Sequence, residues 1–463
     1  MNPLRPFPRV MFAAPGSGSG KSVITSGLMA ALSKKMVVQG FKVGPDYIDT
    51  MYHTAATGRP ARNLDGWMLS AFQTQNIFQR NAQDADISVI EGVMGLFDGY
   101  DGDPLQGSTA GMALVLKTPV VLILDCMKMS ASAAAVVHGF HTFSDALPLA
   151  GVICNRVGSP QHARWLKESI EQRNSIPVLG CIPRLETLAI PERHLGLFTV
   201  VERIAAAHSL IQQAALTVER HLDLQKIMAI AHAAEPLPSS PTPAPSCTKK
   251  QVRLAVAQDD AFCFYYEDNL DELRRCGAEI IPFSPLRDER LPEGISGIYF
   301  GGGYPELHAE QLSRNTTMCK QILACCREDM PIYAECGGLM YLTQGLRSAP
   351  NFYPLVGVLP GWCEMGEKLK MGYREVTTIR PGLLGPSGMQ LRGHEFHYSR
   401  WTSCDPAASS YHVSPRNQGE ISWAEGFARG NLLASYIHLH FGQDARLARQ
   451  FIDQCHHWQT KPS

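Results

Sequence analysis

Pro15-Gly16-Ser17-Gly18-Ser19-Gly20-Lys21-Ser22 follows the apolar run Val10-Met11-Phe12-Ala13-Ala14. It opens a stretch in which Val23, Ile24, Leu28, Met29 and Leu32 recur at helical spacing. A strand, a glycine-rich turn and Gly-Lys-Ser at a helix start form the context a phosphate-binding loop requires. Small residues let the backbone curl with its N–H groups inward, and the helix N-terminus adds partial positive charge. On this reading Gly18, Ser19, Gly20 and Lys21 take the phosphates of ATP. Lys21 reaches the β- and γ-phosphates, and the Ser22 hydroxyl ligates Mg²⁺. The usual pattern has glycine where Pro15 stands.

The chain has 463 residues, room for two or three domains at roughly 150 residues each. A hydrophobic content of 45% and a charged content of 18% fit globular units with sizeable cores. The net charge of −1 gives no general electrostatic reason to bind nucleic acid or an anionic membrane. No apolar run approaches the roughly 20 residues of a membrane span. The apolar run after Arg5 and Arg9 is too short for a signal peptide. Thirteen cysteines, without CxxC pairs, read as reduced thiols in a cytoplasmic protein with no zinc site. Cys325-Cys326 reads as part of a helix face.

Up to about residue 185, short apolar runs alternate with helical stretches, which predicts a parallel α/β sheet. The expected strands are 10–14, 40–43, 87–90, 120–125, 151–155 and 178–182. Ligands of such sheets bind at the carboxyl ends of strands, and polar residues stand there. Phe41-Lys42-Val43 is followed by Gly44-Pro45-Asp46-Tyr47-Ile48-Asp49, so Lys42, Asp46 and Asp49 face the phosphate site. The apolar run 87–90 ends in Glu91-Gly92, a Walker-B-like position that with Ser22 and Asp46 holds Mg²⁺. Asn155, closing Gly151-Val152-Ile153-Cys154, stands where related folds place an adenine-recognising asparagine.

A weakly amphipathic run over 200–234 leads to Glu235-Pro236-Leu237-Pro238-Ser239-Ser240-Pro241-Thr242-Pro243-Ala244-Pro245-Ser246. Its proline and serine content predicts an extended linker. The chain thus reads as domains 1–233 and 251–463 joined by 234–250. The second half alternates again: strands 252–257, 280–283 and 298–300, helices 269–276 and 311–326. Pro331-Ile332-Tyr333-Ala334-Glu335-Cys336-Gly337-Gly338 then predicts a strand, a tight turn with a thiol at its apex, and a helix. Such an elbow exposes the sulfur at a helix N-terminus, which favours the thiolate. Ala434-Ser435-Tyr436-Ile437-His438-Leu439-His440-Phe441 reads as an alternating strand with two histidines on one face. Cys336 is the candidate nucleophile and His438 its base. Gly301-Gly302-Gly303 offers backbone N–H groups to an oxyanion, with Gly302 and Gly303 as its binding residues. His394 and His397 lie on a strand-like run, as substrate-side or structural histidines.

Further runs carry a resemblance: Asn63-Leu64-Asp65, Val93-Met94-Gly95-Leu96-Phe97-Asp98-Gly99, Pro191-Glu192-Arg193-His194-Leu195-Gly196-Leu197, Tyr304-Pro305-Glu306-Leu307-His308 and Gly393-His394-Glu395-Phe396-His397-Tyr398-Ser399. With the phosphate loop and the cysteine elbow, they resemble the cobyrinate a,c-diamide synthases, CobB/CobQ-type glutamine amidotransferases of corrin-ring biosynthesis. The resemblance implies a dethiobiotin-synthetase-like P-loop domain and a class I glutamine amidotransferase domain of flavodoxin-like α/β fold. It also implies ATP, Mg²⁺, L-glutamine or ammonia, and a cobyrinate-type tetrapyrrole, with an acyl phosphate between carboxylate and amide. Lys21 and Lys42 would then neutralise phosphoryl charge. Asp49 and Asp98 would place the substrate carboxylate or deprotonate ammonia. Hydrogenobyrinate and nickel-sirohydrochlorin diamide synthases share these motifs. Class I domains usually carry an acid two residues after the base; here His440 stands there, a substitution known in the corrin branch. A partitioning-type regulatory ATPase shares the loop but has no use for Cys336 or His438. Intact Lys21, Ser22, Asp46 and Glu91 argue against a tetrapyrrole-binding protein with a decayed ATP site. A homodimer is expected from base rates alone.

Overall fold

In the computed structural model, which describes residues 4–185, 204–238, 251–403, 406–414 and 421–461, the run before the phosphate loop becomes the central strand of a parallel sheet. The chain divides into two units, Met1–Thr242 and Pro243–Ser463. The first unit's strands are β1 (Arg9–Ala13), β2 (Val38–Val43), β3 (Arg62–Leu64), β4 (Ile87–Glu91), β5 (Val120–Asp125), β6 (Leu149–Val157) and β7 (Val178–Pro183). Their order is β3-β2-β4-β1-β5-β6-β7, with every pair parallel. All residues of β1, β2 and β4 are buried. Helices cover both faces of such a sheet, which is why these strands read as apolar runs without alternation. The three-residue edge strand β3 was not foreseen; Arg62 and Asn63 mask its apolar signal.

The helix α1 (Lys21–Ser33) leaves the phosphate loop and packs against the helix Ile204–His221. Gly27 permits that approach: a Cβ there would lie 2.7 Å from the Ala214 backbone carbon. Helix α2 (Tyr47–Thr57) follows β2 and is capped by Asp46, whose side chain accepts from Asp49 N–H.

Residues 234–238, read from sequence as the start of the linker, pack on the first unit. Leu237 is buried, and Leu237–Pro238 pairs antiparallel with Leu4–Arg5. The rest of the linker, 239–250, and the 191–197 motif lie outside the described residues. Arg9, fully buried, holds this corner. Its guanidinium donates to Phe7 O (2.8 Å), Leu116 O (2.8 Å), Thr118 Oγ1 (3.2 Å), Lys117 O (3.1 Å) and Glu235 O (2.5 Å). Burial pulls Arg9 down to about 10, against the field of Glu235, so it stays charged at neutral pH.

In the second unit a six-stranded sheet runs in the order Ala278–Phe283, Val252–Ala257, Gly297–Phe300, Ile332–Glu335, Leu432–Ser435, Phe427–Arg429. Only the last pair is antiparallel. A second sheet, not foreseen, is built round the long antiparallel pair Cys363–Thr378 and Gln390–Trp401. The helix expected over 311–326 breaks at Asn315, which caps Thr316–Arg327 by accepting from Met318 N–H.

The expected strand over 434–441 is also corrected. Leu432–Ser435 belongs to the parallel sheet, whereas His438–Leu439 pairs with Gly393 and His394 of the second sheet. Side chains replace the ladder at the crossing. Glu425 accepts from Tyr436 N–H (2.8 Å) and Ser435 Oγ (2.6 Å), and Ser435 Oγ accepts from Ile437 N–H (2.9 Å). Among the described residues no helix is long and apolar enough to cross a membrane.

Arg9→Met removes five donated bonds, three of them to buried acceptors. We expect the first unit to lose about 3 kcal/mol or more. Native-state hydrogen exchange should show lost protection in β1, with the second unit unchanged.

Candidate active sites

The phosphate loop leaves β1 and turns through Gly18 (φ 79°) and Gly20 (φ 85°), conformations glycine adopts without strain. Open space surrounds Gly16 and Gly18 where a Cβ would stand, whereas a Cβ on Gly20 would lie 2.4 Å from Asn155 Nδ2. The loop is braced from β6. Asn155 Nδ2 donates to Ser19 O (2.9 Å), and Arg156 donates to Gly18 O (2.9 Å) and Asp125 (2.8 Å). Asn155, expected at adenine, thus sits against the loop itself.

Glu91, fully buried at the end of β4, is the hub beneath the loop. Its Oε1 accepts from Ser22 Oγ (2.7 Å) and Lys42 Nζ (2.7 Å); its Oε2 lies 2.7 Å from His53 Nε2. Lys42 also pairs with Asp49 at 2.5 Å. Burial opposes the charge on Glu91, but Lys42 and His53 outweigh it and hold the carboxyl well below its ordinary value. Burial and Glu91 push Asp49 up to about 7, against the pull of Lys42. Burial also opposes the charge on Lys42, yet Asp49 and Glu91 together raise it. Lys21 donates to Met94 O (2.6 Å). Burial, then Lys42, lower it to about 8.

Ser22 and Glu91 therefore share one spot, and their hard oxygens fit Mg²⁺. Asp46 is different. It is exposed, caps α2, and has no hydrogen bond or ion pair to Ser22 or Glu91. Among the described residues no cluster of three or more His, Cys, Asp or Glu is placed to hold a metal ion. Asp98 is exposed and accepts from Gly95 N–H (2.8 Å). Lys42 and Asp49 face each other, not the open side of the loop. His53 was missed in the sequence; its signal is the i, i+4 spacing from Asp49 on α2.

In the second unit, Ile332–Glu335 runs into Cys336 at φ 48°, ψ −101°, and the helix Gly337–Leu342 follows at once. That backbone is uncommon outside glycine and marks a strained elbow. Cys336 is 4% exposed, and its Sγ lies 3.8 Å from Phe396 O. Burial first, then Glu306, push its thiol up. This corrects the expectation of an exposed sulfur favoured as the thiolate: the elbow is covered, and burial opposes the charged form more than the helix N-terminus supports it.

Gly302 faces His438. A Cβ there would lie 2.6 Å from His438 Cε1. Its N–H donates to Phe264 O (3.3 Å), and Gly301 N–H donates to Tyr265 Oη (2.8 Å). A Cβ on Gly337 would lie 3.2 Å from Gly303 N, so Gly303 and Gly337 are neighbours at the elbow. His438 is 1% exposed and stacks on His394, centroids 4.8 Å apart and rings 16° from parallel. Burial, then His438, hold His394 well below its ordinary value, so it is neutral. His397 stacks on Tyr436 at 3.8 Å.

Residues 10–198 match the CobQ/CobB/MinD/ParA nucleotide binding domain, and residues 253–446 match the CobB/CobQ-like glutamine amidotransferase domain. Relatives named cobyrinate a,c-diamide synthase match along nearly the whole chain. The one from Listeria innocua is 44% identical, covering 96% of this chain and 98% of its own. Those from Priestia megaterium and Salmonella typhimurium are 42% and 43% identical, each covering 96% of this chain and 97% of its own. The chain belongs to the cobyrinate a,c-diamide synthase family. Membership brings both expected halves together: a P-loop nucleotide-binding domain and a glutamine amidotransferase domain. A partitioning ATPase accounts for the first match alone.

Two outcomes follow. Nucleotide phosphates favour protonated Lys21, so ATP affinity should be flat up to about pH 8 and then fall, by up to tenfold per unit, as Lys21 loses its proton. Calorimetric titration of a non-hydrolysable ATP analogue from pH 7.5 to 9.5 measures this; Lys21→Met should weaken binding and flatten the profile. Gly302→Ala drives a methyl into His438. It should cut glutamine-dependent synthesis by about 10²-fold and leave ammonia-dependent synthesis intact, as initial rates with each donor will show.

Proposed function

We propose that the chain is a glutamine-hydrolysing, ATP-dependent ligase that converts the a and c acetate carboxylates of cobyrinate to amides. The observation that carries this reading is one chain bearing a glycine-lined phosphate loop at Glu91 and a cysteine elbow whose neighbours Glu335 and Gly302 lie against His438. Near-full-length likeness to the named synthases supports the substrate.

In the glutaminase half, the Cys336 thiol proton passes to His438 as sulfur attacks the glutamine amide carbon. Backbone N–H groups of Gly303 and Gly337 receive the oxyanion. His438 returns the proton to the leaving nitrogen, ammonia departs, and water cleaves the thioester to glutamate. Because Cys336 is buried, glutamine must displace the side chains covering it.

In the synthetase half, a substrate carboxylate oxygen attacks the γ-phosphorus of ATP. ADP leaves, and ammonia then displaces phosphate from the acyl phosphate. Lys21 leaves Met94 O for the phosphate oxygens, and Lys42 supports it from Glu91 and Asp49. Ser22 and Glu91 would hold Mg²⁺, which when bound neutralises phosphoryl charge. Asp46 stands beyond that pair and would join it only by giving up its cap on α2. Asp98, exposed beside the loop, is the acid placed to receive a proton from ammonia or to orient the substrate. Asn155 would meet adenine while bracing the loop. We place the enzyme in the cytoplasm, acting on a free tetrapyrrole, and expect a homodimer.

Substitution separates the two centres. Cys336→Ala should abolish glutamine-dependent diamide formation and spare the ammonia-dependent reaction; Lys21→Ala should abolish both. Loss of the ammonia reaction in a folded Cys336→Ala protein overturns the assignment. Assays with cobyrinate, hydrogenobyrinate and nickel sirohydrochlorin test the macrocycle, and turnover of only a metal-free or nickel ring would replace cobyrinate in this reading.

A further inference from the structure

A cysteine–histidine pair works best when a third group holds the imidazole and stabilises the charge it gains. Two residues beyond the base, His440 is engaged elsewhere. Its Nδ1 accepts from Gly442 N–H (3.0 Å), and its ring lies tilted against Tyr266 with centroids 4.8 Å apart. His394, stacked on His438, is neutral.

We propose that Glu335, the residue immediately before the nucleophile, is the positioning acid for His438. This rests on the glutaminase reading of Cys336. Glu335 Oε2 lies 3.8 Å from His438 Nδ1, and both side chains are almost wholly buried. That distance exceeds a hydrogen bond. It suits a resting site, where catalytic contacts are often long and tighten with substrate. The carboxylate itself is fixed. Its Oε1 accepts from Tyr333 Oη (2.6 Å) and Leu439 N–H (3.0 Å), and its Oε2 accepts from Tyr299 Oη (2.9 Å). Burial first, then Glu335, raise both phenols well above their ordinary value, so they remain protonated donors.

The fold builds this cage from strand alternation. Tyr333 and Glu335, two residues apart in one strand, share a face. Tyr299 is the in-register partner of Tyr333 on the next strand, their rings 5.1 Å apart. Leu439 N–H comes from the residue after the base, so one carboxylate ties the nucleophile's strand to the base's strand. The chain thus supplies the acid from beside the sulfur instead of from beside the imidazole.

Glu335→Gln keeps the shape and removes the charge. We expect glutamine-dependent kcat to fall about 10²-fold while the glutamine KM stays within about twofold. Ammonia-dependent synthesis should be unchanged, and Glu335→Asp should recover part of the loss. Nitrogen NMR of the wild-type enzyme with labelled histidine should show a proton on His438 Nδ1, facing the carboxylate. A glutamine-dependent kcat within about twofold of wild type in Glu335→Gln overturns the proposal, as does finding the proton on Nε2 in the resting enzyme. If Glu335→Gln does not fold, the wild-type spectrum decides alone. Cys336→Ala serves as the reference: if it retains glutamine-dependent synthesis, the glutaminase reading itself fails, whereas a dead Cys336→Ala beside an active Glu335→Gln removes only the role of Glu335.

Discussion

One buried carboxylate, Glu91, keeps the nucleotide half of this chain in working shape. Taking it out of water costs several kcal/mol unless its oxygens are matched. They are matched from three different elements: Ser22 from α1, Lys42 from β2 and His53 from α2. Each of these elements stands next to β4 or crosses its carboxyl end because the sheet order puts β4 between β2 and β1. The parallel sheet is thus the means by which residues far apart in sequence meet one carboxyl group. The balance is incomplete, however. Lys42 serves two acids, and burial together with the field of Glu91 still raises Asp49 to about 7.

The second centre depends on space more than on charge. The elbow at Cys336 forms only because its neighbours have no side chains. A Cβ on Gly338 would lie 2.6 Å from Phe300 Cβ, and one on Gly303 would lie 2.1 Å from Ala261 O. Gly302 leaves the room that the His438 ring fills. The glycines that read as an oxyanion loop in the sequence therefore have two tasks. Gly303 and Gly337 stand beside each other at the elbow, whereas the N–H groups of Gly301 and Gly302 are engaged in holding the turn.

Much of this was legible in the chain itself, because the signals were local. The loop over 15–22, the acid closing β4 and the cysteine before Gly337-Gly338 each announce themselves within ten residues. So did the parallel sheet, whose buried strands are plain apolar runs. What escaped was set by distant partners. The strand over 434–441 was read as continuous because its alternation is unbroken; its crossing between sheets is fixed by Glu425, ten residues upstream of Ser435. The second sheet hid because Cys363–Thr378 is largely solvent-facing and polar, leaving little periodicity to read. Asp46 looked like a metal ligand from its place after β2, but a carboxylate at a helix start also caps, and the cap prevails here. Glu335 shows no role in the motif alone, since only the register of Tyr299 against Tyr333 reveals what surrounds it.

The resting chemistry of Cys336 ties these strands together. A thiol pushed up by burial is a weak nucleophile, so proton transfer has to accompany attack. In the proposed reaction, the His438 imidazole that would take the proton stacks on a neutral histidine, which adds no repulsive charge. The positive charge therefore appears next to Glu335, already surrounded by three fixed donors. Because those donors come from two strands and from the base's own segment, the carboxylate needs little reorganisation when the charge develops, the condition under which buried electrostatics aid a reaction most. The same burial that makes the free sulfur sluggish makes that stabilisation strong once glutamine has entered. An elbow of this design can stay quiet without substrate and still react when the amide is in place.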